Sequence, residues 1–265
     1  MNKFQDSPEY TQKKSFLRQL ITVYGRKPAL EVLQDTTLSC FRLHLAESNK
    51  PAPIIRELEQ LATNQAIEVL YHDRQSLSRI SKNGKQDQGV CVDVHCPKFQ
   101  DYSDFLNSHI TGSQTGQQAL RLLALDRITN PQNMGMIIRS ACAGRIDGII
   151  IAEKGCAKLD ALVIKASAGT LFKAPILRCN SLEIALKDSK TAGACVVGLT
   201  GHAPEPLHHF NETAFTIYVL GNESEGMSKT IQQCCSHSVF IPMQNEVESL
   251  NVAVTASLLA FRGAF

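Results

Sequence analysis

Several features are missing from this 265-residue chain, and each absence narrows the reading. Tryptophan does not occur, which decides nothing. No stretch approaches the ~18 consecutive apolar residues of a membrane helix, so a membrane span is not expected. The nine cysteines (Cys40, Cys91, Cys96, Cys142, Cys156, Cys179, Cys195, Cys234 and Cys235) form no Cys-x-x-Cys pair and no Cys/His quartet at zinc spacing, so no metal site is expected. Residues Met1 to Leu20 mix both charge signs and lack the apolar core of a secretory signal, so the thiols read as reduced and the expected compartment is the cytoplasm. No Gly-x-Gly-x-x-Gly turn follows a predicted strand, which tells against a dinucleotide-dependent oxidoreductase. Charge imbalance is small too. A net charge of +2 and a pI near 8.1 permit nucleic-acid contact without demanding it, so any such contact must come from local basic clusters.

A hydrophobic share of 43% with 20% charged residues is that of a globular protein, and the length exceeds a typical single domain, so two domains are expected. After a polar, helical extension over 1–20, a first α/β domain spans 21–95. FRLHLA (41–46), IEVLY (67–71) and GVCVDV (89–94) read as strands, and PIIRELEQLATN (53–64) as an amphipathic helix with proline at its start. Residues 96–117 are rich in Ser, Thr, Gln, Gly and Asp without sustained periodicity and read as a linker. From 118 to 265 near-continuous apolar strands alternate with helices, which predicts a largely parallel sheet covered on both faces. Ligands of such sheets sit beyond the carboxyl ends of the strands.

Three strand ends run into segments of unusual composition: Leu125 to Arg139, Val219 to Ser228 and Ile241 to Val254. In the first, Asn133, Gly135 and Arg139 mark a loop-to-helix transition, and the six-residue spacing of Asn133 and Arg139 is read as returning both toward one helix face. Arginine offers a fixed fork of donors for a phosphate or ribose oxygen. In the second, Gly221 ends a strand, Glu223 follows, and Gly226 opens the next helix. In the third, Ser249 and Asn251 stand near the start of the last helix, where they can face a substrate or act as helix caps. Each residue alone has an ordinary reading as turn, cap or surface charge.

The ordered set reads differently. N-P-x-N-x-G-x-x-x-R, then L-G-N-E-x-E-G, then I-P-M-x-x-x-x-E-S-L-N-V-A resembles the three motifs of the SpoU family of SPOUT RNA 2′-O-ribose methyltransferases, over the C-terminal half from Leu122. KASAGT (165–170) is similar to the family's segment after its second strand. YGRKPALEVL (24–33) and 77–94 resemble the ribosomal-protein-like RNA-binding domain of an rRNA guanosine 2′-O-methyltransferase subgroup. The resemblance implies an α/β domain with a deep trefoil knot, a homodimer, and S-adenosylmethionine as methyl donor. It places the donor against Leu199, Thr200, Gly201, Leu220, Gly221, Ile241, Met243 and Leu250, and it assigns catalysis to Arg139 with Asn133, Glu223, Ser249 and Asn251. Because an arginine of ordinary pKa is a poor base, Arg139 is read as an organiser of phosphate and hydroxyl.

Three positions depart from the family pattern. Asn245 replaces a usual glycine in the third motif, Arg145 stands where glycine commonly closes the helix after Arg139, a left-handed position, and Asp87 replaces a usual histidine. In the first domain Arg26, Lys27, Arg74, Arg79, Lys82 and Lys85 are candidate phosphate partners. The leading reading is methylation of rRNA, with tRNA as alternative substrate. A non-catalytic RNA-binding protein that kept the fold is a further alternative, against which the intact five-residue set speaks.

Overall fold

The computed structural model describes residues 13, 16–112 and 119–264, so most of the expected N-terminal helix lies outside the described residues. The chain divides into two compact units, Met1–Pro97 with Leu159–Ala161, and Lys98–Lys158 with Leu162–Phe265.

The first unit is a four-stranded sheet in the order β1-β4-β2-β3, formed by β1 (Leu20–Tyr24), β2 (Ser39–Ala46), β3 (Glu68–His72) and β4 (Val90–His95), with helices α1 (Arg26–Gln34), α2 (Pro53–Asn64) and α3 (Arg74–Ser81) between them. Only β2 and β3 pair in parallel. Helix α2 starts at Pro53, whose missing N–H is no loss in a first turn, and buries Ile55, Leu58 and Ala62 at helical spacing. Asp73 caps α3 by accepting from the amides of Gln75 and Ser76 at 2.8 and 2.9 Å. Asp87 is fully buried. It accepts from Ser81 Oγ and the Gly89 amide at 2.9 Å each and pairs with Arg74 at 2.9 Å, so the aspartate knits the 81–89 turn together.

The second unit is an eight-stranded, wholly parallel sheet in the order β10-β12-β9-β11-β6-β7-β8-β5. Its strands are β5 (Gln100–Asp101), β6 (Leu120–Leu125), β7 (Gly148–Ala152), β8 (Ile176–Cys179), β9 (Cys195–Leu199), β10 (Glu205–Pro206), β11 (Phe215–Leu220) and β12 (His237–Phe240). The helices are α4 (Tyr102–Gly112), α5 (Pro131–Ala143), α6 (Ala161–Ala166), α7 (Leu182–Thr191), α8 (Lys229–Cys234) and α9 (Val252–Ala260). Every residue of β11 is buried, as a central parallel strand requires, and its FTIYVL sequence is apolar apart from Thr216.

The stretch 96–117 differs from the connector expected there. Residues 100–112 carry β5 and α4 and belong to the second unit, while 113–118 lie outside the described residues. Phe99, Tyr102 and Leu106 are buried at a spacing that Gln100, Asp101, Ser103 and Asp104 between them mask, and the Tyr102 hydroxyl bonds Ser189 of α7. Arg121 holds the far end of the chain. It pairs with Glu212 and donates to the carbonyls of Leu259 and Arg262 at the end of α9, satisfying acceptors that a helix terminus leaves orphaned.

Candidate functional site

Strands β12, β9, β11 and β6 are neighbours in that order and all run parallel, so their carboxyl ends open on one edge of the sheet. The segments 241–250, 200–204, 221–228 and 126–130 leave from those four ends. All three motifs therefore come together at the sheet edge where parallel α/β proteins bind ligands.

A chain of amides crosses this edge. Asn251 is the N-cap of α9, its Oδ1 accepting from the Ala253 amide at 2.8 Å. That contact turns its Nδ2 outward, to donate to Asn133 Oδ1 at 3.0 Å. Asn133, accepting there, points its own Nδ2 at the Glu223 carboxylate, where Oε1 accepts. The direction of every donor is thus fixed by the helix cap at one end and by a carboxylate that can only accept at the other. Asn133 is buried, at 7% exposure, and Glu223 is exposed. The relay therefore has a fixed polarity, running from exposed Asn251 through buried Asn133 to exposed Glu223.

Local chemistry sets these positions. Helix α5 begins earlier than its apolar run, because Asn130 accepts from the amides of Gln132 and Asn133 at 2.8 and 3.3 Å and Pro131 occupies the first turn. A Cβ on Gly135 would stand 2.4 Å from Ala166 Cβ, so this glycine lets α5 lie against the 166–167 backbone. Likewise a Cβ on Gly221 would lie 2.2 Å from the Met227 nitrogen, so glycine there lets the 221–227 segment fold back on itself. Asn222 shapes that turn. Its main chain bridges Gly226, its Oδ1 accepts from the amides of Ser224 and Glu225 at 2.9 and 3.3 Å, and its Nδ2 donates to the Arg127 carbonyl at 2.9 Å. Asp126 accepts from the Ser228 amide at 2.6 Å. Sequence alone does not single out Asn222, Asp126 and Arg127: Asn222 reads there as one letter of a turn motif, and the contacts that tie it to Arg127 and Asp126 to Ser228 span 95 and 102 residues.

The remaining expected residues fall in two groups. Leu199, Thr200, Gly201, Leu220, Gly221, Ile241 and Met243 lie at or just beyond the ends of β9, β11 and β12, and Leu250 immediately precedes the Asn251 cap of α9. Among the described residues, and apart from its two chain neighbours, nothing stands within 4 Å of a Cβ built on Gly201. Ser249 is exposed beside the relay, and Asn251, not Ser249, caps α9. Arg139 is exposed, on a stripe with Gln132, Met136 and Ala143, whereas Asn133 is buried. The expectation that the pair shares a face fails for a simple reason: six residues at about 100° each is about 600°, which leaves the two side chains about 120° apart.

The departures from the family pattern also have structural answers. Asn245 has φ 55 and Glu246 φ 60, so the third-motif turn does need left-handed backbone, and asparagine is among the side chains that adopt it most readily. Arg145 is not left-handed. Helix α5 ends at Gly144 with extended backbone, and Arg145 donates its amide to the Ala260 carbonyl at 2.7 Å and its guanidinium to the Gly263 carbonyl at 3.0 Å. Of the basic residues in the first unit, Arg74 is paired with Asp87 and the Gly84 carbonyl, and Arg26 bonds the Gln88 carbonyl and Asn49. Lys27, Arg79, Lys82 and Lys85 are exposed.

Comparison with known proteins places these features. Residues 121–261 match the family model described as the SpoU rRNA Methylase family, and residues 22–100 match that of RNA 2′-O ribose methyltransferase substrate binding. A protein of Mycolicibacterium smegmatis named as an uncharacterized tRNA/rRNA methyltransferase is 32% identical over 89% of this chain and 74% of its own. Among solved structures, the AdoMet-bound rRNA methyltransferase from Sinorhizobium meliloti superposes with a TM-score of 0.61 at 20% identity, over 96% of this chain and 89% of that one. The SpoU methyltransferase AviRb from Streptomyces viridochromogenes, in complex with AdoMet, gives 0.60 at 22% identity over 97% and 92%. These two likenesses establish the shared fold.

Proposed function

Because the chain belongs to the SpoU family of RNA methyltransferases, we propose that its C-terminal unit transfers a methyl group from S-adenosylmethionine to a ribose 2′-hydroxyl, with rRNA as the preferred substrate and tRNA as the alternative. The observation that carries this reading is the Asn251–Asn133–Glu223 relay at the edge where three motif loops meet. The donor is that of the two solved relatives named above, and the residues here suit it: the open space at Gly201 and the irregular 241–250 segment offer main chain to an adenosine, with Leu220 and Leu250 flanking. When bound, that donor supplies an already activated sulfonium methyl. The chain's task is then to hold a sugar oxygen in line with it, and positioning of this kind accounts for much of such an acceleration. Glu223, Asn133 and Asn251 set the polar frame, and Ser249 borders it.

The outward Arg139 fits a homodimer in which it reaches the partner's site and holds the phosphate and hydroxyl of the RNA. Exposed Met136 on α5 and Val254 and Leu258 on α9 support that reading, since the two helices pack through Ser140 and Ser257 and leave those apolar side chains uncovered. By family likeness the C-terminal unit holds a trefoil knot. Lys27, Arg79, Lys82 and Lys85 of the 21–95 domain are assigned to RNA phosphates, and an RNA substrate puts the protein in the cytoplasm. Calorimetry with S-adenosylmethionine, followed by transfer assays on rRNA and tRNA, tests the whole: donor binding with turnover on rRNA is expected. Donor binding without turnover on either RNA would favour the non-catalytic alternative.

A further inference from the structure

Arg127 holds a backbone conformation that its side chain does not favour, with φ 57, immediately after β6. Left-handed backbone is adopted readily by glycine and only at a cost by arginine. The guanidinium reaches from this corner to the turn that carries Glu223. Nη1 donates to Glu225 Oε2 at 2.5 Å and Nη2 to the Gly226 carbonyl at 3.2 Å, while the Arg127 carbonyl accepts from Asn222 Nδ2 at 2.9 Å. One residue thus grips the 222–226 turn by side chain and main chain together. Among the described residues its buried Nε has no hydrogen-bond partner, and it lies 3.6 Å from Asp126 Oδ1.

Charge sharpens the point. Asp126, Glu223 and Glu225 are three carboxylates borne by two short loops. Arg127 pairs with Asp126 and Glu225, whereas the hydrogen-bond donor to Glu223 is the neutral Asn133 amide. We propose that Arg127 is a positioning residue for methyl transfer, a latch that fixes the 222–226 turn so that Glu223 stays on the Asn133 amide and keeps its charge for the reacting groups. This rests on the function proposed above and adds a residue to it.

The test uses the full-length protein with Arg127→Gly, Arg127→Glu and the reversed pair Arg127→Glu/Glu225→Arg. Glycine accepts φ 57 without strain, so Arg127→Gly is expected to unfold at the wild-type temperature or above it while kcat falls roughly tenfold and KM for RNA stays unchanged, the signature of a misplaced group and not of a weakened fold. Arg127→Glu is expected to lose more, and the reversed pair to recover most of the loss. Amide hydrogen exchange provides a readout that needs no turnover: Asn222 to Ser228 should exchange faster in Arg127→Gly while the rest of the chain does not change. Wild-type exchange in that segment overturns the latch, as does wild-type kcat in Arg127→Gly. If the wild-type enzyme transfers no methyl group, the proposed function fails, and the exchange experiment still decides the latch.

Discussion

Asn251 does two things with two atoms, and substitution can part them. Its Oδ1 caps α9 and its Nδ2 feeds the relay. Asn251→Asp keeps an oxygen for the cap but sets a carboxylate against Asn133 Oδ1, so the thermal midpoint should change little while kcat drops by roughly a hundredfold, the scale at which misplacement of about an ångström is felt. Asn251→Ala should lose the same activity and also about 1 kcal/mol of stability through the lost cap. Paired melting curves and single-turnover rates check both, and an active Asn251→Asp would detach the relay from the reaction. The members of this relay were legible in the sequence because each sits at a strand end or helix start in an ordered motif. Its polarity was not, since the direction of an amide depends on a cap visible only once α9 is known to start at Val252.

At the level of elements, Gly135 decides how closely α5 approaches the 166–167 backbone. Alanine is the better helix former, yet a Cβ there would stand 2.8 Å from the Ser167 nitrogen as well as against Ala166. Gly135→Ala should therefore destabilise by about 1–3 kcal/mol, as overpacking does, and urea unfolding should register it as a lower midpoint. An unchanged midpoint would mean that the contact relaxes freely. Most elements of the second unit could be read from apolar runs because a parallel sheet buried on both faces writes itself as such. Helix α4 could not be. Its buried residues are few, and polar residues break the run, so the segment looked like a connector. A six-residue spacing does not return Arg139 to the helix face of Asn133, and the Arg127 clasp spans 98 residues, which leaves no local periodicity.

For the whole molecule, thiol burial sets an alkaline limit. Burial pushes Cys91 and Cys179 up to about 12, and Cys40 and Cys235 up to about 11, from a usual value near 9. A folded pKa raised above the unfolded one stabilises fully below the unfolded value and is lost as pH climbs toward the folded one, so this contribution fades between about pH 9 and pH 12. Tyr102, pushed up to about 12 by burial, acts in the same direction. Melting temperatures should hold up to about pH 9 and then fall, and thiol reagents at pH 8 should react slowly until urea is added. A pH-independent midpoint through pH 11 would count against the burial.

The proposed homodimer is tested by mixing two variants expected to be inactive. Arg139→Ala and Asn133→Ala should regain part of wild-type activity when dissociated and reassociated together, because under that proposal a mixed dimer rebuilds one intact site. No recovery would place Arg139 at its own subunit's site or outside catalysis.

The identity of the methylated atom is the most direct test of the account. Transfer of a labelled methyl group from S-adenosylmethionine to rRNA, followed by alkaline hydrolysis, separates ribose from base methylation, since a methylated 2′-oxygen cannot attack the neighbouring phosphate. The account predicts label in alkali-resistant dinucleotides with wild-type protein and its loss with Asn133→Ala. Label released as mononucleotides, or undiminished transfer by Asn133→Ala, would contradict it.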